Sequence, residues 1–83
     1  MIDHVLEGVV SCLFEDKWRK EAAYVKELRG KDLKSVLAGL TRVERTPGLP
    51  VAVWVIVVKA KAVLSGKDEK VFWDAVKEFQ GVL

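Results

Sequence analysis

Apolar residues recur along this chain at three- and four-residue intervals, in segments separated by glycine, proline and acidic residues. Ile2, Val5, Leu6, Val9 and Leu13 fall at helical spacing with Val10 and Cys12 beside them, which predicts an amphipathic first helix of about fourteen residues. Gly8 lies inside it, at a cost of about 1 kcal/mol relative to Ala. Asp16 stands where an N-cap belongs. Trp18, Ala22, Val25 and Leu28 form the next stripe, and Gly30 follows the last turn as a stop signal. Asp32 is placed to cap a third helix whose apolar arc is Leu33, Val36, Leu37, Leu40 and Val43. The run ERTPGLP then breaks the period. Pro47 and Pro50 cannot occupy a helix interior, Gly48 admits a tight turn, and Pro50 suits the first position of a new helix. In a last segment, capped by Asp68, one broad face collects Val71, Phe72, Ala75, Val76, Phe79 and Leu83.

The segment between these, PVAVWVIVVKAKAVLSG over residues 50–66, has no polar side of the usual kind. Its apolar run before Lys59 is too short to span a membrane, which takes about twenty such residues. Val and Ile favour strands. A strand here would have no ladder partner unless two chains paired, because every other segment reads as helix. An internal echo bears on the choice. GKDLK at 30–34 recurs as GKDEK at 66–70, and the same offset of 36 relates Trp18 to Trp54 and Leu28 to Leu64. Spacings of this size occur in helical-hairpin arrays, although tetratricopeptide consensus residues are absent. Gly as a helix stop followed by Asp as a cap is also what any tight helix–helix turn requires. Duplication and turn chemistry therefore remain alternatives, and both make residues 50–65 a helix. The expected fold is all-α: one domain over residues 1–83, with five short helices in antiparallel hairpins.

On a helical wheel Lys59 and Lys61 lie nearly opposite each other and divide this fourth helix into two apolar faces. Val53, Ile56, Ala60, Val63 and Leu64 make one. Val51, Trp54, Val55, Val58 and Ala62 make the other. Two outcomes follow. Either the helix is central and both lysines snorkel outward, or one face is completed by another chain. The apolar arc of the fifth helix is also broad, with Trp73 at its edge as a further candidate for contact.

Composition narrows the setting. Cys12 is the only cysteine, so no disulfide closes within the chain, and the residue suits a reducing cytoplasm. The opening MIDHVLEGVV makes a poor secretory signal, since no basic segment precedes its apolar residues and Asp3 and Glu7 interrupt them. There is no Asn, a single Gln, and 31% of residues are charged, a thermophile trend. The net charge of +2 is unevenly spread: residues 1–16 carry four acids and no base, whereas residues 17–61 carry eleven bases against four acids.

Signatures of catalysis are missing. His4 has no partner ligands at helical spacing, Cys12 has no basic neighbour to lower its pKa, and Ser11, Ser35 and Ser65 have no histidine base nearby in sequence. No phosphate-binding loop, paired-cysteine motif or His-Glu helix motif is present. The sequence reads as a non-enzyme without metal, cofactor, membrane or small-molecule substrate. The leading expectation is a protein–protein interaction module, a small accessory subunit or homo-oligomer, making contact through Val51, Trp54, Val58 and Trp73. The second is a nucleic-acid-binding accessory protein using Lys34, Arg42 and Arg45, which share the outer side of the third helix.

Overall fold

A computed structural model describes residues 2–81 as five helices with no strand. They are α1 (Ile2–Cys12), α2 (Arg19–Glu27), α3 (Leu33–Glu44), α4 (Val51–Leu64) and α5 (Glu69–Gly81), with one 3-10 turn, Asp16–Trp18, leading into α2. The valine-rich segment is therefore helical. Leu83, assigned from sequence to the last apolar face, lies outside the described residues.

Each helix buries most of the stripe that its spacing marks out. Val5, Leu6, Val9 and Cys12 of α1, Val25 of α2, Val36, Leu40 and Val43 of α3, and Phe72 and Val76 of α5 all reach one continuous core. α4 is the hub: it packs against α1, α3 and α5, while α2 bridges α1 and α3. His4 meets Trp73 near the start of both helices and Ser11 meets Gln80 near their ends, so α1 and α5 run in the same direction.

The turns use the expected chemistry. Asp32 accepts a 3.2 Å hydrogen bond from the Ser35 amide, and Asp68 accepts one of 2.9 Å from Lys70. The bonds from Ser35 hold the Asp32 carboxyl below its ordinary pKa. Gly30 and Gly66 both take positive φ, at 80° and 104°, which L-residues rarely adopt. The two echo motifs thus share a positive-φ glycine and an aspartate cap but differ in their hydrogen bonds: the Lys31 amide donates to the Leu28 carbonyl, the Lys67 amide to that of Ala62.

Some expectations fail locally. α1 ends at Cys12 rather than near residue 14: the Ser11 hydroxyl donates back to the Gly8 carbonyl at 2.7 Å, Leu13 turns into the core, and Phe14 points outward. Asp16 makes no cap; it sits inside the 3-10 turn and pairs with Arg19 at 3.1 Å. Pro50 occupies the N-cap rather than the first helical position. Leu33 and Val71, both in first helical turns, are 42% and 51% exposed instead of buried. Gly8, costly for the helix, permits close packing: a Cβ there would lie 2.9 Å from the rings of Phe72 and Trp73.

Candidate interaction surface

The two apolar faces of α4 have different fates. Val53, Ile56, Ala60, Val63 and Leu64 are buried, as is Val57 between them. The opposite face is open: Val51 is 76% exposed and Trp54 42%, while Val55, Val58 and Ala62 are half-buried. Central position has therefore not covered the helix. Three neighbours hold one side of it, and solvent meets the other.

The two lysines mark the boundaries. Lys61 donates to Glu44 of α3 at 2.7 Å, and Trp54, two helical turns earlier, lies on that same flank. Lys59 lies on the other flank, where it lines a hollow of about 560 Å³ between α4 and α5 together with Ala52, Val55, Ala75, Glu78 and Phe79. A second hollow of about 350 Å³ continues the groove, with Ala62 and Val71 on its walls. At its far end Phe14, 69% exposed, stands 6.1 Å from the Phe79 ring. Four of the five large apolar side chains exposed among the described residues, Phe14, Val51, Trp54 and Val71, thus border α4 or the α4–α5 groove.

Trp73 does not join them. It is half-buried on the α1 side of α5, with its ring 4.7 Å from His4 and its indole N–H donating to Glu69 at 2.9 Å. A wheel places Trp73 at the edge of its arc, but only the packing of α1 onto α5 decides what meets that edge. Phe14, conversely, was missed by periodicity because it falls in the link after α1. The only sequence signal for it is a large aromatic residue outside any stripe.

On the basic side, Lys34 and Arg42 are exposed on α3 and Arg45 at its C-cap. The Arg42 guanidinium lies 5.4 Å from the centre of the Tyr24 ring, and Lys20 and Glu21 share the shallow hollow beside it. Glu21 sets an acid between the bases Lys20 and Arg42 in that hollow. Cys12 is buried, and burial raises its thiol pKa against a weaker lowering by the Ser11 hydroxyl. Among the described residues no group of three or more His, Cys, Asp or Glu side chains is placed to hold a metal ion, and no helix is long and apolar enough to cross a membrane.

Compared with known protein families, curated proteins and solved structures, the chain matches none of them.

Proposed function

We propose that this protein is a non-enzymatic interaction module that docks a protein surface on the outer face of α4, as a small accessory subunit of an assembly or as a homo-oligomer. One observation carries the reading: a helix packed on three neighbours still presents Val51, Trp54, Val55 and Val58 to solvent in one strip. Burying a large apolar side chain contributes about 1.5–3 kcal/mol, so covering such a strip supplies enough to offset the ordering cost of a stable contact. Scattered surface apolar residues need no explanation, whereas a contiguous group marks an interaction site. The buried, unpaired Cys12 suits the reducing cytoplasm in which we place the protein.

The test is a photo-crosslinking amino acid at Trp54, compared with one at Ala23, an exposed position on α2, in cells that naturally make the protein. Adducts at Trp54 and not at Ala23 support the reading. No adduct at Trp54, or equal labelling at both positions, overturns it.

A further inference from the structure

The α4–α5 groove bears on what the occupant is. Lys59 on α4 and Glu78 on α5 line the same hollow from opposite walls, and among the described residues neither has an ion-pair partner within the chain. The floor between them is apolar, formed by Ala52, Val55, Ile56 and Ala75. The groove therefore offers one cation and one anion across an apolar strip. We propose that its occupant is a second copy of this chain, packed face to face through α4 and α5 about a two-fold axis parallel to the helices. The proposal rests on the docking reading above and names the partner.

A two-fold interface must be complementary to itself. An axis along the groove lays α4 of one copy over α5 of the other at the same level, so each Lys59 meets the Glu78 of the second copy. Two ion pairs form. Val55 and Ala75 meet in the middle, and Val51 and Val71 extend the contact toward opposite ends. The area sets the strength. α4, with 14 residues, is about 20 Å long. With α5 beside it at a helix spacing of about 10 Å, the two helices present a footprint of about 400 Å², below the roughly 800 Å² per partner of a standard interface, which makes the dimer a weak one. A helix from another protein would also find the apolar strip, but nothing would require it to carry the reversed charge pattern at the same level.

Sedimentation of the full chain from micromolar to millimolar concentration tests the proposal. A species of twice the 9.3 kDa chain mass is expected. Glu78→Lys should raise the dimer dissociation constant about tenfold by setting lysine against lysine twice, and Lys59→Glu with Glu78→Lys should restore it. Val55→Asp should give monomer, with circular dichroism showing that the helices persist. A wild-type chain that stays monomeric throughout overturns the second copy. So does a dimer that ignores Glu78→Lys or is not rescued by the double reversal. A photo-crosslinking residue at Val55, which belongs both to the outer strip of α4 and to the groove, separates the two claims. An adduct of twice the chain mass supports both, and an adduct with a different protein keeps the docking reading and sinks this one. Absence of any adduct sinks both.

Discussion

Lys61 reaches across the α3–α4 contact to Glu44, and theirs is the only ion pair among the described residues whose two side chains are both mostly covered, 28% and 23% exposed. The three other pairs are far more open and contribute little. Lys61 shares its flank with Trp54, so the pair ties that flank of α4 to α3.

Lys61→Met keeps the apolar stem but leaves the Glu44 carboxylate half-buried and alone. Such a pair lies between exposed and fully buried cases, so a loss of about 1–2 kcal/mol is expected in urea denaturation. Exchanging the two residues should recover most of it. An unchanged unfolding midpoint in Lys61→Met would mean that the core alone holds that flank of α4 to α3.

Gly8→Ala sets two effects against each other. Helix propensity gains about 1 kcal/mol. The new methyl would approach the Phe72 and Trp73 rings to 2.9 Å, closer than carbon atoms pack, and Phe72 is wholly buried and cannot yield. Overpacking of this kind costs about 1–3 kcal/mol. The net expectation is a lower thermal midpoint; a higher one would show that α5 can move away from α1 at no cost.

Cys12 should resist thiol reagents in the folded protein and react only through unfolding, because burial both shields it and holds it as the neutral thiol. A raised folded pKa also fixes the sign of a pH effect. Above the ordinary thiol value the unfolded chain has lost a proton that the folded chain keeps, so stability falls as pH rises through the folded value. Cys12→Ala should flatten that alkaline decline. Reaction as fast as that of free cysteine would contradict the buried placement.

Arg42 is engaged by Tyr24, and Lys20 and Glu21 share its hollow. A surface with interleaved signs gives weak phosphate attraction. Wild type and Arg42→Glu with Arg45→Glu should therefore both fail to bind labelled duplex or single strand at physiological salt. Salt-sensitive binding by wild type, lost in the double variant, would establish the nucleic-acid reading instead.

How much of this was legible beforehand depended on the range of the interaction. The stripes of α1 to α3, the Asp32 and Asp68 caps, the glycine turns and the division of α4 between Lys59 and Lys61 are local, and periodicity reveals them. What meets the edge of a stripe is not local. Leu33 and Val71 read as core, yet each lies in a first turn that no neighbouring helix covers. Asp16 reads as a cap, yet its carboxylate binds a side chain, Arg19, three residues on. Gly8 shows only its penalty to the helix in the sequence; its benefit belongs to a helix more than sixty residues later.

That last contact also governs the order of events during synthesis. α1 is made first, but Phe72 and Trp73, which fill the space over Gly8, arrive with α5. A ribosome-bound chain lacking α5 holds Gly8 beside an empty seat, with the apolar flank of α4 bare as well. The native core cannot close until translation has released the fifth helix, so nascent chains stalled after Gly66 should be captured by chaperones while those extended past Gly81 should not.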